Sequence, residues 1–174
     1  MSSRKKVIWK NIRGIQPVIG TLIATVFGAG FSPLAPGTMG SLAGLPIAFF
    51  TQQWQWEWRL AFWALLILVG SWAAQVFDRL MQSHDHSGIV IDEVVGLGIS
   101  AWTAGNHPAT WCGAFVFFRF FDILKPPPIR QVDQWSKHQS AWAGGFGVIA
   151  DDMIAGFQSL GLIVLLQWAG ILPR

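Results

Sequence analysis

Charge is missing from most of this chain, and its absence limits what the chain can become. No Asp, Glu, Lys or Arg occurs from Gly14 to Trp56, Leu60 to Phe77, Val94 to Phe118 or Met153 to Leu172. Two of these runs, 60–77 and 153–172, reach the roughly 18–20 apolar residues that a helix needs to cross a bilayer. Segment 41–56 is interrupted by Pro46 and as a helix spans only about 24 Å, short of the hydrocarbon core. Segments 94–104 and 109–121, divided by Gly105-Asn106-His107-Pro108, read as a helical hairpin, either re-entrant or buried within the protein. No alternating strand pattern or internal repeat occurs. The expectation is one all-α, multihelical, membrane-associated domain over 14–174. It should hold about five or six helices, with the active-site loops on one face, behind a basic N-terminal arm at 1–13.

Composition supports that class. Charged residues make up 12% of the chain, against roughly 25% in soluble domains. Much of the net charge of +3 comes from Arg4, Lys5, Lys6, Lys10 and Arg13. That arm suits anionic lipid headgroups, or sets topology as a solvated tail. No basic run is interleaved with aromatics elsewhere, so nucleic acid is not an expected partner. Cys112 is the only cysteine, which excludes an intramolecular disulfide and a thiolate metal site; it reads as a packing residue.

The polar residues fall in four patches between the apolar runs: "FSPLAPGTMGS" (31–41), "HDHSGIVIDE" (84–93), "RFFDILKPPPIR" (119–130) and "GGFGVIADD" (144–152). If 41–56, 60–77 and 153–172 cross and 94–121 is a hairpin, all four meet on one face. Arg79, Arg119, Lys125, Arg130 and Lys137 lie there too, so the positive-inside rule makes that face cytoplasmic. Segment 14–30 is then expected to lie in the interface or to pack without crossing.

Of nine carboxylates, five stand in these patches as Asp92-Glu93, Asp122 and Asp151-Asp152. Carboxylates beside an apolar core cost several kcal/mol unless paired or metal-bound. Five converging acids call for a hard divalent cation, and Mg²⁺ prefers oxygen ligands and keeps waters for a phosphate substrate. Neighbours on a helix point about 100° apart, so within each doublet one residue can bind metal while the other orients water or moves a proton. Helix capping is the plainer use of any one of them. Arg119, Asp122 and Lys125 are spaced i, i+3, i+6, and Pro126 ends their helix. This trio reads as cations for phosphate oxygens around a metal-holding Asp, or as a buried salt bridge joining two helices.

The first patch is stiff at Pro33 and Pro36 and permissive at Gly37 and Gly40. Thr38 or Ser41 is expected to cap a helix beginning near 41, where backbone N–H groups favour anions. Gly144, Gly145 and Gly147 permit close helix approach. His84 and His86 read as a loop or a phosphate contact rather than as zinc ligands.

Taken together, "FSPLAPGTMGSLAGLP", "HDHSGIVIDEVVG", "FRFFDILKPPPIR" and "GGFGVIADDMIAG" resemble the phosphatidylglycerophosphatase A family, in that family's order, from Gly28 to Gly156. The resemblance implies a Mg²⁺-dependent lipid phosphatase, in a family whose relatives include bacterial inner-membrane proteins and some that look soluble. With the positive-inside reading above, the expectation is a multi-pass inner-membrane protein whose active site faces the cytoplasm. Its substrate would be phosphatidylglycerophosphate, and its products phosphatidylglycerol and inorganic phosphate. It points to Asp92, Glu93, Asp122, Lys125, Asp151 and Asp152 as functional residues, and to Pro36, Gly37 and Thr38 as the matching Pro-Gly-Thr motif. In the reading adopted, Asp92, Asp122, Asp151 and Asp152 supply metal ligands. Arg119 and Lys125 bind substrate phosphate with Pro36, Gly37 and Thr38. Glu93, Asp122, Lys125 and Asp152 are catalytic, with Glu93 handling a proton or orienting water. The competing reading is a small transporter or channel with intramembrane acids, which should lie mid-helix rather than at helix ends.

Overall fold

A computed structural model describes residues 14–139 and 141–173; the basic arm at 1–13 lies outside the described residues. Those residues are all-α, without a strand. Seven α-helices run in order: α1 (Ile15–Ala24), α2 (Pro36–Thr51), α3 (Trp56–Met81), α4 (Ile91–Ser100), α5 (Pro108–Leu124), α6 (Ile129–Ser136) and α7 (Ala141–Trp168). The all-α class holds, and the helix number exceeds the expected five or six. Segment 14–30 holds α1 and the start of a short 3₁₀ turn, and a short amphipathic α6 follows the prolines.

The core is built around α4 and α7. All of α4 is buried except Glu93. A Cβ on Gly96 would lie 2.7 Å from the Asp152 carbonyl oxygen, and one on Gly156 would run into the Gly96 carbonyl. Glycine at both positions therefore lets α4 and α7 touch backbone to backbone. This contact brings the first turn of α4, with Asp92 and Glu93, beside the middle of α7. Helix α2 packs on α4, α1 on α3, and α3, α5 and α6 all pack on α7.

Several expected boundaries move. α2 begins at Pro36, not near 41, because proline at the first helical position gives up an N–H that the helix does not use. It continues through Pro46, which stands on the exposed side. Ser41 does not cap; its hydroxyl donates to the Gly37 carbonyl at 2.9 Å. Thr38 lies inside the first turn. α7 starts twelve residues before the expected 153, so "GGFGVIADD" is helical rather than a loop. Cys112 is exposed rather than packed.

Two helices are long and apolar enough to cross a membrane by length and composition, α3 and the stretch Trp142–Trp168. Large apolar side chains are exposed along three helices: Leu65 and Leu68 on α3, Val116 and Phe120 on α5, Phe157 and Leu165 on α7.

Candidate active site

The first turn of α4 supplies two acids. Asp92 is 8% exposed, and its Oδ1 accepts from the Glu93 backbone N–H at 3.0 Å. The last turns of α5 supply Arg119 and Asp122. Arg119 Nη1 lies 2.7 Å from Asp122 Oδ2, one helical turn on, and 3.9 Å from Glu93 Oε1. Lys125 is the C-cap of α5 with φ of 45°. It leaves the helix in the left-handed conformation immediately before the prolines. Its Nζ bonds Asp133 Oδ1 of α6 at 2.9 Å and Asp151 Oδ2 of α7. Asp133 Oδ2 in turn takes a bond from Lys137 Nζ at 2.6 Å. Asp151 and Asp152 are both buried, and the charges of Asp122, Asp92 and Asp151 crowd Asp152.

These groups open onto one cavity of about 290 Å³. Pro36 and Gly37 form one wall, and the carboxylates with Arg119 and Lys125 form the other. A Cβ on Gly37 would run into Glu93 Oε1 and lie 3.0 Å from Arg119 Nη1, so a larger residue there would displace the two side chains that the start of α2 covers. Gly37, in the first turn of α2, lines the cavity, and backbone N–H groups of a first helical turn have no intrahelical partner and favour anions. Thr38 is half-buried and is not part of the cavity wall.

The structure groups the acids differently from the expected ligand set. One oxygen each from Asp92, Glu93 and Asp152 lie within 4.8 Å of one another. Asp122 is held by Arg119 and Asp151 by Lys125. Glu93 Oε2 is buried without a hydrogen-bond partner, which is costly for a carboxylate oxygen unless a cation meets it. Burial, then the charge and hydrogen bond of Glu93, hold the Asp92 carboxyl well above its usual range. Burial pushes Glu93 up to about 8; Asp152 and Asp122 add to this, while Asp92 and Arg119 oppose it. For Lys125, burial works against the charge, but Asp151 and Asp133 together outweigh it and hold the ammonium above its usual range. Three crowded carboxylates with an unsatisfied oxygen, and no sulfur or imidazole among the grouped donors, fit a hard cation such as Mg²⁺.

Asp133, Asp85 and Ser87 were not among the expected residues. Asp133 holds Lys125, and Asp85 and Ser87 line the cavity. The signal for Asp133 was the buried stripe Ile129, Asp133, Ser136 on α6, whose spacing puts an acid on an apolar face. His84 and His86 are not in the carboxylate group. Asp78 accepts from the Asp85 and His86 backbone N–H groups at 2.8 and 3.0 Å and so anchors their loop. The acids at the start of α4 and the end of α5 stand at helix ends, as expected. Asp151-Asp152 do not; they stand inside α7, where the transporter reading placed its acids.

Comparison with known proteins decides between the two. Residues 22–167 match the family model of phosphatidylglycerophosphatase A. The chain belongs to the phosphatidylglycerophosphatase A family. Membership makes it a phosphatase, a hydrolase of phosphoric monoesters. The chain is 37% identical over 143 residues to phosphatidylglycerophosphatase A of Escherichia coli, covering 82% of this chain and 80% of that one. It is 36% identical over 170 residues to phosphatidylglycerophosphatase A of Haemophilus influenzae, covering 91% and 94%. A Bacteroides thetaiotaomicron protein with the provisional name phosphatidylinositol-3-phosphatase is 35% identical over 157 residues, covering 84% and 92%. No solved structure matches the chain.

Proposed function

We propose that this protein removes the terminal phosphate of phosphatidylglycerophosphate in glycerophospholipid biosynthesis. The products are phosphatidylglycerol and inorganic phosphate. The proposal places the reaction at the cytoplasmic face of a bacterial inner membrane, with Mg²⁺ as cofactor. The observation that carries it is the convergence on one cavity of the Asp92, Glu93 and Asp152 group with the Arg119 and Lys125 cations. The names of the Escherichia coli and Haemophilus influenzae relatives supply the substrate.

Asp92, Glu93 and Asp152 would hold the cation. When bound there, Mg²⁺ neutralises the crowded acids and polarises a phosphoryl oxygen or a water. Lys125 and Arg119 bind the remaining phosphoryl oxygens and meet the charge that grows on them. Asp151 and Asp133 keep Lys125 in place, and Glu93 and Asp122 do the same for Arg119. Asp122, which lines the same cavity, is placed to accept a proton from the attacking water. The water oxygen bonds to phosphorus, the bond from phosphorus to the glycerol oxygen breaks, and the proton ends on that oxygen.

Membrane insertion rests on the exposed apolar faces of α3, α5 and α7. α5, Pro108–Leu124, is about 25 Å long at 1.5 Å per residue, short of the hydrocarbon core, so the crossing falls to α3 and α7. Trp56, Trp58 and Trp168 are exposed at the ends of α3 and α7 distant from the site, where tryptophans mark a membrane–water interface.

The test is product identity. Purified protein in mixed micelles is given phosphatidylglycerophosphate or phosphatidylinositol 3-phosphate, and the lipid products are weighed by mass spectrometry. Phosphatidylglycerol as the main product supports the reading. Preferential conversion of the inositol lipid overturns the substrate and keeps the chemistry.

A further inference from the structure

The loop that carries His84 and His86 borders a second cavity, which the reaction above does not use. It measures about 300 Å³, and Pro36 and Ser87 belong to its wall and to the wall of the acidic cavity. The two cavities therefore adjoin. The second is bounded by Phe31, Ser32 and Pro33 on one side and by His86, Ser87 and Gly88 on the other.

These walls are held in place. Val90 N–H donates to the Ala24 carbonyl at 2.8 Å. A Cβ on Gly30 would collide with the Gly88 carbonyl, so the two segments meet backbone to backbone there. Ala35 and Asp85, which both line the acidic cavity, take φ of 46° and 53°. Side-chain-bearing residues keep that left-handed conformation only where their surroundings over-determine it.

The His86 ring is fixed in plane and in tautomer. Its Nδ1 accepts the Gly88 backbone N–H at 3.0 Å, which places the ring proton on Nε2. Its edge meets Phe77 at 5.4 Å and 83°. The cavity wall thus carries the His86 imidazole and the Ser87 hydroxyl, with the Ser32 hydroxyl, which donates to the Leu34 carbonyl at 2.9 Å, left as an acceptor, against the apolar surfaces of Phe31 and Pro33. Among the described residues, no Asp, Glu, Lys or Arg lines it. Such walls suit a hydroxylated, uncharged group rather than a second anion.

We propose that this cavity binds the short polyol bridge that carries the scissile phosphate, and that His86 Nε2–H and Ser87 Oγ recognise the free hydroxyl of that bridge. The inference rests on the phosphatase reading above. With the phosphate among the acids and cations, the next group along the substrate is the glycerol bridge, and the adjoining cavity receives it. Leu34, between the lining residues Pro33 and Pro36, is 80% exposed and offers an apolar group to the lipid. A site that hydrogen-bonds a substrate hydroxyl rejects the analogue lacking it, because its polar groups are left unpaired.

The experiment compares kcat/KM for phosphatidylglycerophosphate with that for the analogue in which 1,3-propanediol replaces the bridging glycerol. Unmodified protein, His86→Asn and Ser87→Ala are assayed side by side. Asparagine keeps an acceptor for the Gly88 N–H and removes the Nε2 donor. The expected result is that unmodified protein favours the glycerol lipid by about tenfold and that the preference shrinks towards one in both variants. If unmodified protein treats the two lipids alike, or the variants lose equally on both, the subsite is overturned while the phosphatase reading stands. If unmodified protein releases phosphate from neither lipid, both readings fall.

Discussion

Lys125 Nζ stands between two carboxylates from different helices, Asp133 Oδ1 at 2.9 Å and Asp151 Oδ2. The residue that ends α5 is thereby tied to α6 and α7 at once. Asp133→Asn is expected to loosen Lys125 and lower phosphate release by about tenfold, and to cost about 1–3 kcal/mol of stability. Burial raises the Asp133 carboxyl, but Lys137 and Lys125 together hold it below its usual value of 3.8. Its stabilising contribution is therefore complete above that value and is lost as pH falls through the lower folded value. Melting curves in detergent should show the gap between unmodified protein and Asp133→Asn closing in acid. A gap independent of pH would assign Asp133 a packing role only.

In the proposed site Mg²⁺ would compete with a proton for Glu93. Without metal, Glu93 is pushed up to about 8, so cation binding near neutral pH must release a proton. The Mg²⁺ concentration for half-maximal activity should fall as pH rises towards 8, by up to about tenfold per pH unit for each proton released. Glu93→Gln should weaken Mg²⁺ binding and flatten that dependence. Titration calorimetry at several pH values reads both effects, and an unchanged slope in the variant would remove Glu93 from the ligand set.

Gly37 is needed for closeness rather than for flexibility. Gly37→Ala places a methyl group against Glu93 Oε1 and Arg119 Nη1. Because alanine favours the helix by about 1 kcal/mol over glycine, folding should survive while kcat/KM falls tenfold or more. Full activity with unchanged melting would mean that α2 does not close over the site.

Asp122→Asn should reduce turnover by about 10²–10⁴ while the protein stays folded. The control is Glu57→Gln, in the exposed first turn of α3, which should change neither activity nor stability. Unfolding of Asp122→Asn would give its pair with Arg119 a structural role instead.

The sequence made the site easier to find than to arrange. Asp92-Glu93, Asp122 and Asp151-Asp152 stood out because acids beside apolar runs need a partner, whatever the fold. Pro126 correctly marked the end of α5. Which acid faces which was not legible, because that depends on the rotation of α4 against α7, set by Gly96 and Gly156 across the contact. The extent of α7 was misread because three glycines before Asp151 look like a loop. Gly145 and Gly147 instead serve close packing, against Ser71 of α3 and Ser136 of α6. Pro46 looked like a break, yet α2 passes through it on an exposed side, where neighbouring helices are not disturbed. The role of Asp133 could be read only from the buried stripe of a short helix, a weak signal beside the paired acids.

The central claim is that the buried acids and the two cations work on a phosphate through a divalent cation. The most direct measurement is phosphate release from phosphatidylglycerophosphate by purified protein in detergent, with Mg²⁺ and then with excess chelator. The account predicts release with Mg²⁺, loss with chelator and recovery when Mg²⁺ is restored. Undiminished release in chelator would contradict the role given to Asp92, Glu93 and Asp152, and no release from folded protein in either condition would contradict the function itself.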